Sequence, residues 1–325
     1  MSEQEASKRQ HGQYFTVRSP FAHPEFIRWA SRAGLPGARL IEPFAGANNI
    51  VRMMEEAGLC GRFAAFDIEP QSDDVETRDV FTDYPDLDGV VVTNPPYMAR
   101  NSAKRRKLPF PDTAFGDLYL HSLSLMLKQS HYVAAIIPAA FGTTRHFRDR
   151  LTHVISLPFS DMFGDTDHPV CLALFEPSSK GVQFWSWTQE LGSEEVIRSA
   201  IPDLPQPVQI VFNDPEGILG LRAVDGTGGP TIRFCRGEEI ASSSIKHSSR
   251  SLTRMTVSGV DEENLDRVIA EANTQLETIR SMTMDVTLTP FKGLRRDGQF
   301  RRRLDFRTAK IILSMAMETL RKRDD

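Results

Sequence analysis

The chain holds only three cysteines in 325 residues, Cys60, Cys171 and Cys235. They are odd in number and far apart, with no C-x-x-C pair, which excludes a disulfide framework and gives no sign of a redox dithiol or a thiolate zinc site. Long apolar runs are also missing. The longest, Tyr132 to Phe141, contains Pro138 and falls well short of the roughly 18 residues a membrane span needs. The opening stretch MSEQEASKRQHGQ has no basic-then-apolar secretory pattern, so a cytoplasmic location and no membrane partner are expected. No repeat of fixed period and no low-complexity tract stands out. What is present is ordinary globular composition, 40% apolar and 25% charged with 21 Gly and 20 Pro, at a length that predicts about two domains.

Short apolar runs alternate with longer segments of helical period between residues 38 and 187, the pattern of a mainly parallel sheet covered by helices. Strands are predicted at 39–41, 62–66, 89–93, 132–137, 170–175 and 182–187. Asn48 or Asn49 can cap a helix over 50–57 that Gly58 stops, and 117–127 has the apolar density of a buried helix. After Trp187 the character changes. A proline-rich stretch at 201–207 and the turn cluster Asp225-Gly-Thr-Gly-Gly-Pro230 separate β-like runs at 210–212 and 231–234. Helices are predicted at about 262–280 and 306–320. The expectation is therefore an α/β catalytic domain at 10–187 and a smaller α+β region at 188–325.

The sharpest chemical signal is Val90-Val-Val-Thr-Asn94-Pro95-Pro96-Tyr97, an apolar strand running into Asn-Pro-Pro-Tyr. The prolines stop the strand and stiffen it. That places an amide oxygen from Asn94 beside the carbonyl oxygen of Pro95, two acceptors for both hydrogens of a planar –NH2. Tyr97 offers a face for a flat ring. An amine conjugated to a ring is a poor nucleophile, and two acceptors on its hydrogens draw the nitrogen toward a tetrahedral, more reactive form. Upstream, Leu40-Ile-Glu42-Pro43-Phe44-Ala-Gly46-Ala-Asn48-Asn49 reads as a strand, an acid, a small-residue turn and a helix start, a layout that brings backbone close to a nucleotide-like ligand. Asp67, 21 residues after Gly46 and beside Ile68, can take both hydroxyls of a ribose. Asp79 can accept from the exocyclic amine of an adenine, with Val80 against its ring. In this order, at successive strand ends, these acids outline an adenosine pocket.

Other constellations are weaker. Asp165, Asp167 and His168 read as a solvated loop rather than a metal site. Cys171 follows Val170, not proline, so the Pro-Cys nucleophile of carbon-5 cytosine methylation is absent.

On these motifs, residues 12 to 187 resemble the S-adenosylmethionine-dependent amino-methyltransferases of DNA, N6-adenine type, in the gamma motif order. The resemblance implies a Rossmann-like methyltransferase fold and S-adenosylmethionine as cofactor. Gly12-Gln-Tyr14-Phe15-Thr16 is similar to the family's N-terminal motif, implying that Tyr14, Phe15 and Thr16 close over the methionine end. Met162-Phe163-Gly-Asp is similar to a later motif, implying that Phe163 is a second aromatic against a flipped base. Val17 stands where the family usually has proline, and Asn48 where it often has glycine, although Asn tolerates a left-handed backbone.

The implied substrate is duplex DNA, methylated at N6 of adenine after base flipping, with a cognate restriction endonuclease as the implied partner. The same four residues leave open N4 of cytosine, RNA adenine, the side chain of a protein glutamine, or an inactive nucleic-acid binder. Two basic runs bear on a polyanionic partner. Arg100 to Lys107 carries five positive charges that could hold phosphates or simply form a solvated loop. Between Lys292 and Arg303 six positive charges face only Asp297. Here Arg295, Arg296, Arg301, Arg302 and Arg303 are expected to touch phosphates, or else to pair with acids across the domain junction. Overall the net charge of −4 is the sum of a basic tail after residue 285 and an acidic body before it.

Overall fold

The computed structural model describes residues 15–163, 168–204 and 206–324. The chain divides into two compact units, the first ending at Glu190 and the second beginning at Leu191. The first is built on β1 (Leu40–Glu42), β2 (Phe63–Asp67), β3 (Glu76–Thr77), β4 (Val90–Thr93), β5 (Val133–Pro138), β6 (Leu151–Leu157), β7 (Val170–Phe175) and β8 (Gln183–Trp185), and β9 (Glu190–Ser193) begins at the boundary. Their spatial order is β3-β2-β1-β4-β5-β7-β6-β8. Strands β1 to β5 run parallel, and β7 lies antiparallel to both of its neighbours. Unbroken apolar runs such as Val90–Val92 and Val133–Ile137 are buried throughout, as strands covered on both faces must be. This is the mostly parallel, Rossmann-like sheet that the sequence leads one to expect.

Among the described residues four helices accompany it: α1 (Pro24–Arg32), α2 (Asn49–Glu56), α3 (Arg100–Arg106) and α4 (Leu118–Gln129). Helix α1 is an addition to the elements expected from sequence, although its start carries a signal. Pro24 occupies the first turn, and the His23 ring accepts from the Glu25 N–H at 3.2 Å. Burial keeps the His23 pKa low, so the ring stays a neutral acceptor. Inside the unit, Trp29 of α1 is fully buried and donates to the Phe175 carbonyl at 3.1 Å. Strand β6 is a further addition, because Thr152, His153 and Ser156 interrupt its apolar pattern; so are β3 and helix α3, which replaces the solvated loop expected over 100–107. At α2 the capping expectation is corrected. Asn48 precedes the helix in a left-handed conformation, φ 62°, but its side chain makes no cap and donates instead to Asp74 at 2.8 Å.

The second unit holds an antiparallel sheet of β10 (Ile210–Phe212), β11 (Leu219–Arg222), β12 (Arg233–Arg236) and β13 (Leu252–Val257), in the order β10-β13-β11-β12. A hairpin of β14 (Thr289–Leu294) and β15 (Phe300–Arg303) follows. The helices are α5 (Glu194–Ser199), α6 (Leu265–Thr283) and α7 (Phe306–Asp324). Leu265, Val268, Ala272, Leu276 and Ile279 recur at helical spacing on α6 and join one core with Phe234, Met255, Ile312 and Leu313.

The hairpin overturns part of the phosphate-contact expectation. Asp225, fully buried, accepts from both Arg280 terminal nitrogens at 3.1 Å and from the Thr231 N–H at 2.8 Å. Arg295 pairs with Asp297 at 2.8 Å and with Asp225 at 3.5 Å. The Arg301 Nε donates to the Asp225 carbonyl at 2.6 Å, and the Arg302 N–H to its carboxylate at 3.2 Å. Burial lowers the Arg302 pKa. The guanidinium groups of Arg280 and Arg295 are thus committed to an internal carboxylate network and are not free for phosphate, whereas Arg301 reaches a main-chain carbonyl and the Arg302 bond is made by its main-chain N–H. The pairing stays within this unit, between residues 225 and 302, rather than reaching across a junction. Arg296 alone of the five is exposed.

Candidate active site

Because β1 to β4 are parallel and adjacent, their carboxyl ends share one edge of the sheet. The strand order reverses between β1 and β4, and a crevice opens at such a point. A cavity of about 500 Å³ lies there, within the range for a cofactor-sized ligand. Of the residues expected at the site, Phe15, Phe44, Asp67, Ile68, Asp79 and Val80 line it, and so do Asn94 and Pro96. One space thus joins the carboxylate at the end of β2 to the Asn-Pro-Pro turn at the end of β4. Glu42, Gly46, Thr16, Pro95, Tyr97 and Phe163 are not on its wall, and Tyr14 lies outside the described residues.

Asp67 is 8% exposed. One of its oxygens accepts from the Gly46 N–H and the other from the Glu69 N–H, both at 2.8 Å. Burial pushes its pKa up, against the pull of these two bonds. Each oxygen keeps a lone pair for a ligand hydroxyl. Gly46 itself has φ +52°, and a Cβ there would sit 2.2 Å from the Phe15 ring. Only glycine allows Phe15 so close to the backbone. Glu42 lies beneath the wall with no exposed surface. Its Oε1 accepts from the Phe44 N–H at 3.0 Å and the Thr93 hydroxyl at 2.5 Å, while Oε2 is buried with no hydrogen-bond partner among the described residues. Desolvation pushes its pKa up to about 8. Asp79 folds back on its own turn, accepting from the Phe81 N–H at 3.0 Å, and Val80 is buried.

No family model matches this chain, and no curated protein does. Among solved structures it is similar to a type I restriction-modification methyltransferase subunit from Streptococcus thermophilus, at 14% identity and a TM-score of 0.38, over 53% of this chain and 47% of that one. It is similar also to the type I restriction enzyme EcoKI M protein, at 12% identity and a TM-score of 0.36, over 94% of this chain and 71% of that one. A third is the type IIG restriction endonuclease BpuSI, at 18% identity and a TM-score of 0.38, over 55% of this chain and 28% of that one. The chain spans about half the length of the first of these and under a third of the last.

At the end of β4, Asn94 is 8% exposed. The Tyr97 hydroxyl donates toward Asn94 Oδ1 at 2.5 Å and toward the Ile136 carbonyl at 2.7 Å. One proton is shared between two acceptors, which ties the tyrosine ring to both β4 and β5. The chain pairs Thr16 with Phe163 in an isolated bridge, and the Val17 N–H donates to the Met162 carbonyl at 2.9 Å. Tyr97 and Phe163 also come together, their centroids 6.3 Å apart at 72°. That is an edge contact. A ring sandwiched between two others needs about 7 Å between parallel planes, two van der Waals thicknesses, so these two rings as they stand do not form a slot for a third.

A part of the wall that the sequence does not announce is formed by Leu108, Pro109, Phe110 and Pro111, with Phe81 beside it. An aromatic between two prolines close after a strand-end motif is the available signal. Phe81 packs 5.5 Å from both Phe44 and the stacked His121 ring.

Proposed function

We propose that this chain is an S-adenosylmethionine-dependent methyltransferase that modifies N6 of adenine in duplex DNA by base flipping, with 10–187 as catalytic domain and 188–325 serving target recognition. The observation that carries the reading is the single cavity shared by Asp67, Asp79 and Asn94. The residues present fit the cofactor: a buried carboxylate with lone pairs to spare on Asp67, apolar surface from Ile68 and Val80, and a second carboxylate on Asp79 facing the same cavity. When bound, S-adenosylmethionine supplies an electrophilic methyl group on a sulfonium.

Asp67 would hold the ribose and Asp79 the adenine amine of the cofactor. Asn94 Oδ1 and the Pro95 carbonyl would accept the hydrogens of the target amine, while Pro96 fixes the turn and Tyr97 stacks on the base. Because nitrogen attacks directly, no covalent enzyme intermediate and no strong base are required; the proton leaves once the nitrogen is cationic. An amine inside a stacked pair is unreachable, so extrusion at a cost of a few kcal/mol must precede reaction. The preference for DNA over RNA or protein glutamine rests on the N-terminal Gly-Gln-Tyr-Phe-Thr element and the large second region. The test is transfer of methyl label to duplex DNA followed by nucleoside analysis. N6-methyladenine is expected; label in RNA or in a glutamine side chain instead refutes the reading.

A further inference from the structure

We infer that the surface gripping the phosphate backbone of the substrate is the cationic helix α3 and its C-terminal residue, on the first unit, rather than the arginine-rich hairpin of the second. The inference rests on the nucleic-acid reading of the cavity and assigns the anchoring part of that reading to named residues.

Helix α3 is inserted between two cavity walls. Met98 lines the cavity just before it, and Leu108 to Pro111 line it just after. The helix is fixed at its base: Arg100 donates to the Thr113 and Phe115 carbonyls and lies over the Phe110 ring, 4.7 Å from the centroid. Ala103 is fully buried, and the Leu108 N–H returns to its carbonyl at 3.0 Å. Lys104, Arg105, Arg106 and Lys107 are all exposed.

Among the described residues, Lys104, Arg105 and Lys107 have no carboxylate partner within ion-pair distance. In the hairpin, by contrast, Arg295 is paired with the carboxylates of Asp225 and Asp297, and Arg301 donates to the Asp225 main-chain carbonyl. Arg145 adds a further exposed cation without an ion pair among the described residues, on the neighbouring turn whose His146 and Phe147 rings pack against Phe115. Lys104, Arg105, Lys107 and Arg145, on elements beside a cavity suited to a nucleobase, fit a phosphodiester chain, which presents one negative charge beside every base. In a body of net negative charge this group also supplies an attraction for a polyanion.

The experiment compares wild type with the K104Q/R105Q/K107Q variant in salt titrations of binding to a 20-base-pair duplex, read by fluorescence anisotropy, with S-adenosylmethionine affinity measured in parallel by calorimetry. The slope of log affinity against log salt should flatten by about 0.9 for each phosphate contact removed, and cofactor affinity should stay at the wild-type value. The control K292Q/R296Q on the hairpin should leave the slope as it was. An unchanged slope for the α3 variant overturns the inference, as does a change seen only with polyglutamate as ligand. Wild-type protein that binds DNA through α3 but transfers no label defeats the reaction reading and leaves this surface standing; label transfer with an unchanged slope does the reverse.

Discussion

Replacing Glu42 by glutamine should make the first unit more stable, and increasingly so as pH rises. Glu42 is fully buried, and desolvation lifts its pKa from the ordinary 4.5 to about 8, a rise only partly opposed by the Thr93 hydroxyl and the Phe44 N–H. A carboxyl whose folded pKa is raised binds more protons folded than unfolded between those two values, so stability falls with rising pH across that window. The loss is about 1.4 kcal/mol per pH unit, reaching roughly 3 kcal/mol by pH 7 and 5 kcal/mol above pH 8. The glutamine side chain of Glu42→Gln keeps the shape and an acceptor for Thr93 and Phe44 but has no proton to lose. At about 2–4 °C per kcal/mol for a domain of this size, the Tm difference between variant and wild type should grow by roughly 6–12 °C from pH 4.5 to pH 7. Thermal unfolding of both proteins across pH 4.5–9 checks it, and titrating groups remote from Glu42 cancel in the difference, leaving Glu42 and its neighbours Asp67 and Tyr84. A difference that does not change with pH would mean that Glu42 is ionised in the fold and that the reasoning fails.

Asp67→Ala should weaken S-adenosylmethionine binding at least 100-fold by calorimetry, since two ligand hydroxyls lose charge-assisted acceptors at about 1.5–3 kcal/mol each. Unchanged affinity would remove Asp67 from the cofactor site. Asp225→Ala should destabilise the second unit by about 3–5 kcal/mol, because Arg280 then stays buried with half its carboxylate partners gone; a denaturant titration showing a loss below about 1 kcal/mol would contradict the network's role.

Much of the first unit is legible in the sequence because its strands are unbroken apolar runs punctuated by acids and prolines. Val90 to Thr93 ends at Pro95 and Pro96, and Phe63 to Asp67 ends at its carboxylate. Where polar residues interrupt a strand, as in β6, periodicity carries no signal, and the antiparallel pairing of β6 with β7 is a tertiary fact. The left-handed turn at Asn48 is foreseeable from the residue type, whereas its partner Asp74, 26 residues on, is not. Charge misleads most. Composition shows that Arg295 to Arg303 is basic, but not that Asp225, 70 residues upstream, sits buried among those arginines. The cavity wall at Leu108 to Pro111 is equally hidden, since only the fold brings that loop back over the strand ends.

The central claim is that the end of β4 holds a target amine while the end of β2 holds the cofactor, and Asn94→Ala separates the two. Incubated with methyl-labelled S-adenosylmethionine and duplex DNA, the wild type should yield N6-methyladenine. The variant should lose at least about 100-fold in transfer, in line with the loss of one preorganised group at a reacting centre, while binding cofactor as tightly as wild type. Transfer at the wild-type rate by Asn94→Ala, or a matching loss of cofactor affinity, would contradict the account.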